Sequence, residues 1–151
     1  SRNRENYFAL ELTRETKRLP FNSGKIKIEY TAKGFQIHHK TLSGMDDVTA
    51  QIFFDFPIGG VWETEDSSFK PQNGQVVFLT KGCGRMRMDE DYIEVGPGSD
   101  AHRIWDLRGL EEVPVGCFRV IISLVTPIDY TFTIKTSDKE EAIAELRKRT
   151  L

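Results

Sequence analysis

The chain is poor in the residues that announce chemistry: its 151 residues hold two cysteines, three histidines and two tryptophans. Cys83 and Cys117 lie far apart without CxxC spacing, which makes a poor metal site. They could form one disulfide in an oxidising compartment, but read first as two small buried side chains. His38 and His39 are adjacent in a strand-like run, so they project to opposite faces and cannot easily share an ion. The carboxylate-rich turns Asp46-Asp47 and Asp89-Glu90-Asp91 lack EF-hand spacing. No metal and no other cofactor is expected. G-x-S-x-G is absent, and no Cys/His pair has a recognisable catalytic spacing. Gly82-Cys83-Gly84 and Gly96-Pro97-Gly98 lack the strand–loop–helix setting in which glycine loops hold phosphate.

An excess of one charge is missing too. Lys and Arg number 21 against 23 Asp and Glu, for a net charge of -2, and the signs alternate along most segments. Nucleic-acid binding normally shows as clustered basic surface, so no nucleic-acid partner is expected. No apolar run approaches the ~20 residues that span a bilayer, and no membrane association is expected. The opening SRNRENYF has no apolar signal-peptide core. A chain that starts at Ser1 reads as a processed chain or a domain of a longer protein. The cellular compartment stays open.

What the sequence has in abundance is alternation. Tyr7 to Thr13 places Phe8, Leu10 and Leu12 on one face. Lys25–Tyr30 and Phe35–Lys40 alternate on either side of Thr31-Ala32-Lys33-Gly34, which predicts a hairpin with Ile26, Ile28, Tyr30, Phe35, Ile37 and His39 on its apolar side. Val48 to Phe56 sets Ala50, Ile52, Phe54 and Phe56 on a core face. Phe53 is left on the opposite face, where it signals a second packing layer, an interface or a ligand surface. Asn73-Gly74 is a hairpin signal ahead of Gln75–Thr80, whose unbroken apolar character predicts a central strand covered on both faces. A second apolar run, Cys117 to Val125, is interrupted by Arg119 and Ser123, and Tyr130–Lys135 is rich in aromatic and β-branched residues.

The ending changes character. Ser137 and Glu140 form a capping box, and strong helix formers follow to Leu151. About nine or ten strands at ~8–12-residue spacing, with no strand–helix alternation, predict an all-β fold. The expectation is an antiparallel β-sandwich, jelly-roll-like, over residues 1–136. A short C-terminal α-helix follows over 137–151, packed on it or leading into a further segment.

The densest mixture of titratable, cationic and aromatic residues runs from Gly82 to Arg108. Extended geometry puts His102, Ile104, Asp106 and Arg108 on one face, and Ala101, Arg103, Trp105 and Leu107 on the other. Three readings follow. The leading one is a non-catalytic domain that binds oligosaccharide or supports a larger carbohydrate-active assembly. Trp62, Trp105, Arg103, Asp106 and Arg108 are its contact residues, because sugar rings stack on aromatics while their hydroxyls take hydrogen bonds. Trp62, following Gly59-Gly60 in a loop-rich region, is the better surface candidate of the two tryptophans. The second is an assembly subunit, meeting a protein partner or its own copy through Phe53, the terminal helix and the Val76–Leu79 strand. The third is a small lyase- or isomerase-type enzyme with His102 as acid or base and Arg85 or Arg108 as anion partner. Against it stands the commoner meaning of alternating charge on a strand, a cross-strand ion-pair ladder.

Overall fold

The computed structural model describes residues 23–44, 46–101 and 111–137. Among them lie ten strands and no helix: β1 (Ser23–Thr31), β2 (Gly34–Ser43), β3 (Thr49–Pro57), β4 (Val61–Glu63), β5 (Ser68–Phe69), β6 (Val76–Phe78), β7 (Gly84–Met88), β8 (Asp91–Gly96), β9 (Cys117–Val125) and β10 (Asp129–Thr136). They form a seven-stranded sheet, ordered β1-β2-β10-β8-β7-β4-β5, and a three-stranded sheet, ordered β3-β9-β6. The described residues are thus all-β and mostly antiparallel, with β6 parallel to β9. No described helix is long and apolar enough to cross a membrane.

Local sequence explains the hairpins directly. β1 and β2 pair across Ala32-Lys33, with Ile28 opposite Ile37 and Tyr30 opposite Phe35, as the alternation requires. Gly34 is needed at the close of this turn, because a Cβ there would lie 1.9 Å from the Ile134 carbonyl oxygen of β10. β7 and β8 pair across Asp89-Glu90, where Asp89 takes a positive φ of 52°.

The two sheets share one apolar core. Ile37, Phe132 and Ile134 come from the larger sheet, and Ile52, Phe54, Phe56, Val120 and Ile122 from the smaller. Phe54 meets Phe132 edge-on at 5.9 Å between ring centroids. Burying each such aromatic contributes on the order of 1.5–3 kcal/mol.

Several expectations are corrected by this packing. Trp62 is a core residue at 2% exposure. Its ring packs against Phe56 and Phe118, 5.9 and 5.6 Å away. It fits because Gly84 has no side chain: a Cβ there would lie 2.2 Å from the indole. Phe53 is 4% exposed and lies under the Arg119 guanidinium, 4.4 Å from the ring centroid. It is a second packing layer and no open interface.

The Gln75–Thr80 run is no central strand. β6 spans Val76–Phe78, is half-buried, and among the described residues bonds only β9 in its sheet. Its apolar face is used on one side because the smaller sheet ends there. Asn73-Gly74 does turn, with Gly74 at φ 80°, but it carries the chain from one sheet to the other rather than closing a hairpin. The turn is pinned by the Asn73 side chain, which accepts from the Gly116 N–H at 2.8 Å.

Within the apolar run of β9, Arg119 is held by a buried partner. Its Nε and Nη2 donate to the two oxygens of Asp55 at 2.7 and 2.9 Å, and its Nη1 donates to the Glu111 carbonyl at 2.6 Å. The fork-to-carboxylate geometry satisfies two charges that would otherwise be stranded in the protein interior.

The expected Tyr7–Thr13 strand and the helix after Ser137 lie outside the described residues. Ser137 itself ties β10 to β8, its hydroxyl accepting from the Tyr92 N–H at 2.8 Å.

Candidate functional site

β5 and β6 are the outermost strands of the two sheets at the same end of the molecule, and the layers part between them. The gap is a cleft of about 300 Å³, at the small end of the range that holds small molecules. Phe69, Val77, Phe78 and Leu79 give it apolar walls, and Trp62 closes its inner end. Its mouth is polar: Thr64, Glu65, Asp66 and Ser67 come from the β4–β5 turn, and Thr80 and Lys81 from the segment after β6.

The polar side is built by local bonding. The Thr64 N–H donates to the Ser67 carbonyl at 2.8 Å, and the two hydroxyls are 2.9 Å apart. The Ser67 N–H donates back to Thr64 Oγ1 at 3.1 Å. This closed turn presents the Glu65 and Asp66 side chains outward. Lys81 Nζ reaches Asp66 Oδ2 at 2.8 Å across the mouth, in a pair more than 60% exposed on both sides. The hydrogen bond to Asp66, then its charge, hold the Lys81 ammonium above its ordinary pKa. An exposed pair of this kind contributes little to stability.

The other sequence candidates separate into two groups. Trp105, Arg103, Asp106, Arg108 and His102 lie outside the described residues. Arg85 is described and is engaged: its Nε donates to Glu94 Oε1 at 2.9 Å, and its guanidinium sits 4.3 Å from the Tyr92 ring centroid. Arg87 follows the same logic, with Nε 3.3 Å from Glu63 Oε1 and its guanidinium 5.1 Å from Tyr92. Around Arg85 and Arg87 the alternating charges thus make an ion-pair ladder across β4, β7 and β8.

Burial shifts both described thiols and the Tyr130 phenol toward their protonated forms. Cys83 and Cys117 are free thiols, the first exposed and the second half-buried, and not the two buried side chains expected from their residue type. Cys83 is exposed as a residue, yet partial burial of its sulfur and then Glu94 push its pKa up, away from the reactive thiolate. Burial, then Cys83, pushes Tyr130 up to about 12. Among the described residues no group of three or more His, Cys, Asp or Glu could hold a metal ion.

His38 hydrogen-bonds Asp129 at the surface, whereas His39 is 9% exposed on the core side. Burial, then the charge of His38, lowers the pKa of His39 below its ordinary 6.5. The folded state therefore binds the His39 proton less well than the unfolded chain does. This contribution to stability is intact above about pH 6.5 and is lost as pH falls from there through the lowered folded value. Chemical denaturation from pH 8 to 5 should show that decline, and His39→Gln should flatten it. An unchanged slope in the variant would assign the decline to other groups.

Nothing in the local sequence around Glu65 and Asp66 marks this acidic turn as one lip of a cleft. Phe69, Phe78, Asp66 and Lys81 meet only because β5 and β6 end their respective sheets side by side. The pairing of Asp66 with Lys81 spans a chain crossing that no local spacing encodes.

Comparison with protein-family models, curated proteins and solved structures found no match.

Proposed function

We propose that the chain is a non-catalytic β-sandwich, jelly-roll-like in arrangement, that binds carbohydrate in the cleft between β5 and β6. The observation that carries this reading is the composition of the cleft: apolar and aromatic walls from Phe69 and Phe78, ringed by hydroxyls, carboxylates and one ammonium. A sugar ring offers an apolar C–H face and a rim of hydroxyls, and such a site matches both. Asp66 and Lys81 accept from and donate to hydroxyls once their own contact opens, and Thr64, Ser67 and Thr80 complete the polar set. The stacking surfaces are thus Phe69 and Phe78 in place of Trp62. A catalytic role built on His102, Arg85 and Arg108 is the weaker reading, since Arg85 is already held by Glu94 and Tyr92.

The test is a titration with neutral and acidic oligosaccharides, followed by calorimetry and by tryptophan emission. Trp62 lines the inner wall of the cleft and is left in place as a reporter. Saturable binding is expected, weakened about tenfold or more by Phe78→Ala, which removes roughly 1.4 kcal/mol of stacking and contact. Asp66→Ala should weaken binding with little effect on stability. No saturable response across the panel, or binding indifferent to both variants, would sink the reading.

A further inference from the structure

The larger sheet has seven strands and the smaller only three, so the β1 end of the larger sheet runs out past its cover. The apolar face that is sealed at Ile37, 1% exposed, opens at Ile28 and Tyr30, 46% and 85% exposed. β1 is also an edge: among the described residues it pairs with β2 alone. Edge strands carry unpaired backbone groups that template further pairing.

The direction of those groups follows from two bonds. Thr41 N donates to Ile128 O and Thr136 N donates to Lys33 O, both at 2.8 Å. The odd-numbered residues of β2 therefore point their backbone groups at β10, and the even-numbered ones at β1. With Gly34 opposite Thr31 and Gln36 opposite Glu29, the odd-numbered residues of β1 point inward. Ile26, Ile28 and Tyr30 are left to direct their N–H and C=O groups outward.

We infer that β1 pairs antiparallel with β1 of a second copy of this chain, about a twofold axis through Ile28. In that register Ile28 meets its own equivalent and Ile26 meets Tyr30 of the second copy. These are the outward-pointing residues, so they form the hydrogen-bonded pairs. Lys27 then falls opposite Glu29 of the second copy, and Glu29 opposite its Lys27, at the closer non-hydrogen-bonded positions. Lys27 and Glu29 already attract each other along the strand at 2.9 Å, both more than half exposed, and the register lets each exchange that neighbour for a cross-strand one. The isologous arrangement is self-complementary in charge, apolar pairing and backbone parity together. It would join two seven-stranded sheets into one continuous sheet, with the clefts at its two far ends.

A single strand pair is a small interface, so a concentration-dependent monomer–dimer equilibrium is expected. Sedimentation equilibrium of the full chain, without any sugar, from about 1 μM to about 1 mM covers the affinity range of such contacts. Glu29→Lys places lysine opposite lysine at two positions and should weaken dimerisation about tenfold. The double variant Lys27→Glu with Glu29→Lys restores opposite charges and should recover it. Both positions are solvent-exposed, so unchanged thermal unfolding of the monomer serves as the control for folding. A chain that stays monomeric throughout, a dimer indifferent to Glu29→Lys, or a double variant as weak as the single one would each overturn the inference. None of these outcomes bears on sugar binding, which is measured separately.

Discussion

Arg119→Ala is expected to destabilise the fold by about 3–5 kcal/mol, measured by urea unfolding. The guanidinium is 3% exposed and its partner Asp55 0%, so removing one charge strands the other where water cannot reach it. Truncation also leaves the Glu111 carbonyl without its 2.6 Å donor and strips the cation from the face of Phe53. Removing both charges is a different experiment. Asp55→Leu together with Arg119→Met leaves no buried ion behind, and apolar replacements of similar volume are often neutral or stabilising. The double variant should therefore be markedly more stable than Arg119→Ala. A loss below about 1 kcal/mol for the single variant would mean that water reaches Asp55.

Trp62→Ala should be comparably damaging, at about 3–5 kcal/mol for a large buried aromatic. The indole fills the space between Phe56 and Phe118 and depends on the missing side chain of Gly84. Phe118 also contacts Phe69 at 6.0 Å, which limits its collapse into the void. The melting temperature should fall by several degrees per kcal/mol. Any accompanying loss of ligand affinity would be a consequence of a loosened cleft. Trp62→Phe, which keeps an apolar ring in the site, should lose much less. A stable Trp62→Ala protein that had lost only binding would place the indole at the ligand after all.

Where the physics is local, the sequence was a good guide. The β1–β2 hairpin, the core face of β3 at Ala50, Ile52, Phe54 and Phe56, and β10 were all legible, because strand alternation assigns each side chain to a face within a few residues. The same rule left three readings for Phe53 and none for Arg119; burial of both faces of β3 and β9 selects the second packing layer for the one and an interior position for the other. A lone Asp in IFFDFP and a lone Arg in CFRVII were the available signal, one acid and one base each set in an otherwise apolar run. Their partnership spans 64 residues, a separation that no window reveals. Trp62 was placed at the surface on the strength of neighbouring glycines. Gly84, more than twenty positions away, is the one that admits its ring to the core. The cleft was illegible for the same reason: it exists only because β5 and β6 finish their sheets at the same end.

The order of strands in the smaller sheet has a consequence for how the chain is made. Its central strand, β9, is the last of the three in sequence, and among the described residues neither β3 nor β6 has another partner in that sheet. During synthesis β3 emerges before its backbone partner, and Cys117 follows Pro57 by 60 positions. At roughly 5–20 residues per second the ribosome leaves the strand waiting for β9 for roughly 3–12 s. The β1–β2 and β7–β8 hairpins can close as they appear, since their contacts are near in sequence. The nascent chain is thus most vulnerable to aggregation and chaperone capture in the interval between β3 and β9. Slowed translation across that interval should lower soluble yield more than the same delay placed after Val125.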